Sequence, residues 1–308
     1  MPPIASVDVP ASSANLGSGF DCFGAALSLK LRAELYRGDQ AGIELNIRGE
    51  GAPRNGQADA ENLLIRGFRE GLRAAHGSAE GSGAWRLEVS SMIPAARGLG
   101  SSAAAIVAGV VLGASLGRRS PDPDELVTLA ARLEGHPDNV AAAFHGGLTL
   151  AVTGDDGRLH LRRFRVPEAW IPVVFVSAVE SRTREMRAAL PSTVQHAAAA
   201  RQAGRAALLA TAIMTSDAGL LREAMTDELH QPYRIPLLPG SRSLIETAYA
   251  RGAAGACLSG AGPSVLAICD SPVSAHAVEK AWNASGVRGM ATRLRFDTAG
   301  TRLPARVD

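Results

Sequence analysis

The stretch WRLEVSSMIPAARGLGSSAAAIVAGVVLGASL, residues 85–116, constrains the fold more tightly than any other. Its first seven residues alternate apolar and polar, the pattern of a half-buried strand. Gly98 and Gly100 then break the chain. From Ser101 to Leu116, alanines and valines fall on most faces of a predicted helix. A helix with no polar side has to be buried, and Ala103, Ala104 and Ala105 let it sit close against a sheet. The chain therefore has to build layers around a strand, a glycine turn and an interior helix.

Gly98, Gly100 and Ala103 have the G-x-G-x-x-A spacing of a dinucleotide fingerprint. That motif belongs after the first strand, with an acid ending the second strand about 20 residues on. Here the turn lies deep in the chain, and Asp122 and Asp124 sit at a helix start, which argues against a Rossmann fold. The physical feature remains. Two glycines can take conformations closed to other residues, and the helix that follows points free N–H groups and its positive dipole end into the same space. Ser101 and Ser102 add hydroxyls that can bind a phosphate oxygen or a metal. Read alone, the turn is also compatible with a tight strand-to-helix connection capped by its serines.

Further strands are expected over 28–36 and 43–49, and a helix over 60–75 from the recurrence of Leu64, Phe68 and Leu72. SPDPDELVTLAARLEG starts a helix with Pro123 and acids in its first turn and stops it at Gly135. HPDNVAAAFHGG gives a short helix, and residues 148–164 a hairpin turning at Asp155, Asp156 and Gly157. From Val166 the organisation restarts: a buried strand over 170–178, an alanine-rich helix over 192–214, and two apolar strands around the turn in GACLSGAGPSVLAIC. A helix over 273–286 and a strand over 289–295 follow. Two domains are expected, 1–165 and 166–308, with the last dozen residues a loose tail.

Composition narrows the function. The 32 basic and 30 acidic side chains nearly cancel, and no basic run is interleaved with aromatics, so a nucleic-acid partner is not expected. No apolar run approaches the roughly 20 residues of a bilayer span, and MPPIASVDVP does not read as a signal peptide, so a cytoplasmic protein is expected. Cys22, Cys257 and Cys269 make neither a disulfide framework nor a cysteine metal site. Lys30 and Lys280 are the only lysines, and neither follows a glycine-rich loop, which excludes a Walker A site. A nucleotide phosphate would have to be met by backbone N–H groups, hydroxyls, a metal or arginine.

Three more stretches carry polar groups at turns. PASSANLGSGFDCFG, residues 10–24, offers Asn15 and Asp21 for a polar ligand, or is an ordinary surface loop. LEGHPDNVAAAFHGG puts Glu134, His136, Asp138 and Asn139 within six residues, a site or a capped turn. LSGAGPSV, residues 258–265, is a second turn of small residues.

In this order PASSANLGSGFD, RGLGSSAAA, EGHPDNVAAAFHGG, TREMRAALP and LSGAGPSVLAI resemble the superfamily of galactokinase, homoserine kinase, mevalonate kinase and phosphomevalonate kinase, the GHMP kinases, and its homoserine kinase family closely. The motifs span the whole chain, and five in register are specific. The resemblance implies an α+β two-domain GHMP kinase fold: an N-terminal α/β ATP-binding domain with the glycine-rich phosphate loop and a C-terminal ferredoxin-like α+β domain, with the site between them, usually in a homodimer. It implies ATP-dependent phosphorylation of the side-chain hydroxyl of L-homoserine.

By the same resemblance, Pro94, Ala95, Ala96, Arg97, Gly98, Leu99, Gly100, Ser101, Ser102, Ala103 and Ala104 form the loop around the ATP phosphates, with Asn62 near the adenine. Ser102 and Glu134 would hold Mg²⁺, and Asn15, Asp21, His136, Asn139, Thr183, Arg187 and Arg234 would surround homoserine. Homoserine is a zwitterion, so Arg187 and Arg234 suit its carboxylate and Asp21 its ammonium. Each arginine taken singly would read as a surface ion-pair residue. Asn139 stands where some relatives have an aspartate base, and it cannot take a proton. Positioning without a strong general base is therefore expected, with His136 a substrate-contacting or structural group. Ser18 in place of a common proline, and Ala95 and Ala96 in place of glycine or proline, depart from the family pattern without removing a ligand.

Overall fold

The computed structural model describes residues 2–50, 62–76, 83–117 and 121–304. Six strands form the first sheet: β1 (Ala5–Ala14), β2 (Phe23–Arg37), β3 (Gly42–Gly49), β4 (Ala84–Ser91), β5 (Leu148–Thr153) and β6 (Leu159–Phe164). The strand β2 organises it. β1 runs antiparallel along nearly all of β2, while Leu31–Arg37 also pair with β4 and Phe23–Ala25 with β5. β3 and β4 are parallel, so the chain must cross over between them. The crossover carries α1 (Leu63–His76).

Against this sheet lie α2 (Ser101–Ser115) and α4 (Asp138–His145), and α3 (Pro123–Glu134) packs on both of these helices. Every α2 residue from Ile106 to Ala114 is buried, as its composition requires. The closeness of α1 to α2 comes from glycine. A Cβ on Gly71 would lie 2.1 Å from the Val110 carbonyl oxygen, and one on Gly109 would lie 2.1 Å from that of Leu64.

The second sheet is wholly antiparallel, in the order β10-β7-β9-β8, from β7 (Ile171–Ser177), β8 (Gly255–Leu258), β9 (Val265–Cys269) and β10 (Gly289–Arg293). With α9 (Ser241–Ala250) before β8 and α10 (Pro272–Asn283) before β10, it is a βαββαβ unit of ferredoxin-like topology. Four further helices are inserted between β7 and α9: α5 (Thr183–Ala188), α6 (His196–Thr215), α7 (Leu221–Ala224) and α8 (Gln231–Arg234). The short ones, α5, α7 and α8, are shorter than a period can reveal.

The main core does not stop at the boundary between the sheets. Val174, Leu209, Leu221, Met225 and Ile268 join the cluster that holds Val9, Leu16, Phe68 and the α2 side chains. A smaller cluster around Phe175, Leu244 and Trp282 fills the outer layer of the second half.

One alternative falls and one expectation needs correction. Residues 10–24 are not a surface loop: Pro10–Ala14 belong to β1, and the turn after it is packed so closely that a Cβ on Gly17 would lie 2.0 Å from the Met225 carbonyl oxygen. The residues from Asp297 to Thr301 are not a loose tail either. The Asp297 N–H donates to the Ala26 carbonyl, the Thr301 N–H to that of Phe144, and Thr301 is buried. Residues 60 and 61 of the predicted helix and 305–308 of the predicted tail lie outside the described residues.

Candidate active site

The glycine turn is clamped from two sides, and each clamp explains one glycine. Gly98 has φ 75°, and a Cβ there would lie 2.3 Å from the Ser259 carbonyl oxygen and 2.7 Å from that of Gly262. The turn between β8 and β9 thus lies directly on the loop, and the Ser259 hydroxyl donates to the Gly98 carbonyl at 2.7 Å. Gly100, φ 69°, faces the other way, where a Cβ would meet Ser12 Oγ at 2.1 Å and Asn139 Oδ1 at 3.0 Å. Ser12 N–H donates to the Leu99 carbonyl at 3.1 Å. The loop is therefore held by β1, the start of α4 and the β8–β9 turn together.

The first helical bond of α2 runs from Ala104 N–H to the Gly100 carbonyl. The amides of Ser101, Ser102 and Ala103 are left pointing out of the helix end, and no side chain among the described residues caps them. Pro94 to Ser102 line a cavity of about 430 Å³, which puts the Ser101 and Ser102 amides on its wall. Ala103 and Ala104 do not line it; both are fully buried in the core, and the Ala104 N–H is already spent on the Gly100 carbonyl. Arg97 faces sideways, donating to the carbonyls of Ala95 and Ala178 and pairing with Glu180. Asn62 caps α1 by accepting from Leu64 N–H at 2.9 Å and lies on the cavity wall.

Beside the amides, the Ser102 hydroxyl donates to Glu134 Oε1 at 2.5 Å. Burial pushes the Glu134 carboxyl above the ordinary carboxylate range, against the opposing pull of the Ser102 bond and His136. No cluster of three or more His, Cys, Asp or Glu side chains able to hold a metal occurs among the described residues. Two protein oxygens beside an anion site nevertheless suit an ion such as Mg²⁺, which takes few protein ligands and completes its shell with phosphate and water. His136 Nδ1 is bonded to Asp138 Oδ1 at 2.9 Å, and its Nε2 lies 3.8 Å from Glu134. Burial alone would lower the His136 pKa, but the bond to Asp138 and the two carboxylates raise it overall.

At the other end of the cavity two arginines flank one aromatic ring. Arg187 and Arg234 place their guanidinium carbons 5.6 Å and 5.4 Å from the centre of the Phe20 ring. Arg187 is paired with Asp21 through two hydrogen bonds of 2.9 Å and 2.6 Å, which raise its pKa. Arg234 is only 2% exposed and has no carboxylate partner among the described residues. It makes long bonds to the Met186 and Gly260 carbonyls, 3.4 Å and 3.5 Å, and one of 3.2 Å to His230 Nδ1. Burial and the nearby Arg187 charge pull its pKa down to about 10. A buried cation aimed into a cavity with no anion of its own is a site for an anion.

Asn15 is spent internally: Nδ2 donates to the Gly260 carbonyl at 2.8 Å and Oδ1 accepts from Asp21 N–H at 3.0 Å. It ties the Asp21 turn to the β8–β9 turn. Thr183 stands exposed at the start of α5 on the cavity rim. Asn139, in the first turn of α4, accepts from the Ser12 hydroxyl at 2.9 Å and lines the cavity. Three contributors escaped the sequence reading: Phe20 between the arginines, His230 behind Arg234, and Ser12 behind Asn139. Phe20 could have been flagged as an aromatic beside Asp21 in a glycine-broken turn; the other two act at second hand and leave no local pattern.

Residues 62–147 match the family model described as GHMP kinases N terminal domain, and residues 206–288 the one described as GHMP kinases C terminal. A homoserine kinase of Synechococcus sp. (strain CC9311) is 40% identical over 301 residues, covering 96% of this chain and 94% of that protein. A homoserine kinase of Streptomyces coelicolor is 40% identical over 307 residues, covering 97% and 94%. The crystal structure of homoserine kinase from Cytophaga hutchinsonii superposes with a TM-score of 0.84 at 27% identity, over 97% of this chain and 96% of that one. The L. major mevalonate kinase structure, at TM-score 0.69 and 17% identity over 96% and 95% of the two chains, shares the fold. With identity sustained along nearly its whole length, this chain belongs to the homoserine kinase family of the GHMP kinases.

Proposed function

We propose the following division of labour for the reaction of this homoserine kinase family member, ATP-dependent phosphorylation of the side-chain hydroxyl of L-homoserine to O-phospho-L-homoserine. The uncapped amides of Ser101, Ser102 and Ala103 and the backbone of Pro94 to Gly100 take the triphosphate, with Asn62 on the adenine side. Ser102 and Glu134 hold Mg²⁺, which when bound neutralises charge on the transferring phosphoryl group. Arg234, joined by Arg187, takes the substrate carboxylate, and Asp21 takes the ammonium. The Asp21–Arg187 pair then has its two halves shared out to a zwitterion of the same polarity. Asn15 keeps the Asp21 turn in place, Thr183 closes the rim, and His136 contacts the substrate or braces Asp138.

Asn139 meets the attacking hydroxyl. As the hydroxyl oxygen bonds to the γ-phosphorus and the bond from that phosphorus to the β-phosphate oxygen breaks, the hydroxyl proton leaves to a phosphate oxygen or to water. An amide holds the oxygen in line but takes no proton, so the rate comes from positioning and charge neutralisation.

The observation that carries this reading is the buried Arg234, without a carboxylate partner among the described residues, in the same cavity as the open helix end, which gives that cavity a carboxylate pole and a phosphate pole. It separates a carboxylate substrate from a neutral sugar, and Asp21, with an ammonium to meet, separates an amino acid from mevalonate. The chain is further read as a cytoplasmic homodimer with a division near residue 165; light scattering of the purified protein checks the dimer. The decisive assay is ADP release with Mg²⁺-ATP against L-homoserine, L-threonine, mevalonate and galactose in parallel. A strong preference for L-homoserine is expected, and preference for any other alcohol refutes the substrate assignment while leaving the fold intact.

A further inference from the structure

Asn139 offers the cavity either the oxygen or the nitrogen of its amide, and the two do different chemistry. The choice is made by a residue outside the cavity. Ser12 lies on β1, is wholly buried, and bonds Asn139 Oδ1 at 2.9 Å. A flipped amide would donate its nitrogen to Ser12 Oγ and leave the serine hydroxyl proton buried with no acceptor among the described residues, a costly arrangement. With Oδ1 accepting from Ser12, the side-chain nitrogen of Asn139 is the atom left without a protein partner among the described residues. The position of Ser12 is itself enforced: its N–H is bonded to the Leu99 carbonyl, and only the missing Cβ of Gly100 leaves room for its hydroxyl beneath the phosphate loop.

We infer that Ser12 is a positioning residue that locks the Asn139 amide with its NH₂ towards the substrate, so that Asn139 acts as a hydrogen-bond donor to the attacking hydroxyl. This rests on the reading of Asn139 as the group that meets that hydroxyl. A donor there occupies a lone pair of the oxygen and leaves the hydroxyl's own proton free to point at a phosphate oxygen, as a reaction without a protein base requires. An acceptor would capture that proton in a hydrogen bond it could not complete by transfer. Ser12 therefore couples the phosphate loop to the geometry of the nucleophile.

The test is steady-state kinetics on Ser12→Ala, Asn139→Ala and the double variant, with KM measured separately for L-homoserine and ATP. Releasing the amide is expected to lower kcat about fivefold, the worth of one ordinary hydrogen bond, with both KM values little changed. In the Asn139→Ala background, Ser12→Ala should cost nothing further, since it acts only through that amide. Ser12→Cys, a weaker donor of nearly the same shape, should lie between wild type and Ser12→Ala, and it carries the test if alanine does not fold. Wild-type kcat in Ser12→Ala, a parallel loss in kcat and both KM values, or full additivity in the double variant would overturn the assignment of Ser12. Unchanged kcat in Asn139→Ala would instead overturn the reading of Asn139 itself.

Discussion

Arg234 is a place where this fold has given up stability for binding, and Arg234→Met separates the two. A free arginine side chain is charged at any working pH, and here burial draws its pKa down to about 10. A lowered pKa in a base means that folding disfavours the protonated form. At neutral pH, below both values, the full penalty applies, on the order of 3 kcal/mol. Its bonds to Met186, Gly260 and His230 are long or neutral and return about 1–2 kcal/mol. Methionine fills a similar volume without charge, so the ligand-free variant should gain about 1–2 kcal/mol, and its Tm should rise by a few degrees at about 2 °C per kcal/mol for a chain of this size.

The same substitution removes the cation assigned to the substrate carboxylate. Loss of a charge-assisted bond in a desolvated site should lower kcat/KM for L-homoserine about a hundredfold, with KM for ATP little changed. Thermal melts without ligand and kinetics with each substrate varied in turn decide the matter. A lower Tm would refute the idea that the unliganded cation is strained. An unchanged KM for L-homoserine would refute its role in binding.

Gly98→Ala forces a left-handed residue to carry a Cβ 2.3 Å from the Ser259 carbonyl oxygen, so a stability loss of about 2–4 kcal/mol and a rise in KM for ATP of about tenfold are expected from denaturant titration and kinetics. Glu134→Gln keeps the shape and the bond from Ser102 but not the charge; kcat should fall about a hundredfold and the Mg²⁺ needed for half-maximal rate should rise, without loss of Tm because a buried carboxylate has been neutralised. The double change Lys30→Arg and Lys280→Arg should leave KM for ATP untouched, since neither lysine lines the cavity and Lys30 is paired with Asp297. A marked rise in KM there would refute phosphate binding by backbone amides.

Much of this was legible before any coordinates. The α2 composition demanded burial and the helix has it; the expected strands over 28–36, 43–49 and 85–91 stand within longer or equal elements; and the hairpin over 148–164 turns where its aspartates and glycine lie. Local periodicity suffices for such elements because each is long enough to show a face. It failed for β1, whose Pro10, Ser12 and Ser13 imitate a loop, because a strand buried on both sides need not alternate. It failed again for α5, α7 and α8, too short to carry a period.

The chain order of residues set the types of group at this site: small residues at two turns, a carboxylate cluster ahead of a helix, and arginines far along the chain. It could not say how they would be paired. That Asp21 holds Arg187 while Arg234 has no carboxylate partner among the described residues, and that Ser12 reaches Asn139 across 127 residues, depends on through-space distances set by the packing of β1 between the phosphate loop and the second half of the molecule. Propensity and patterning are short-range and survive in a linear string; charge pairing, desolvation and the orientation of an amide arise only when distant segments exclude water together.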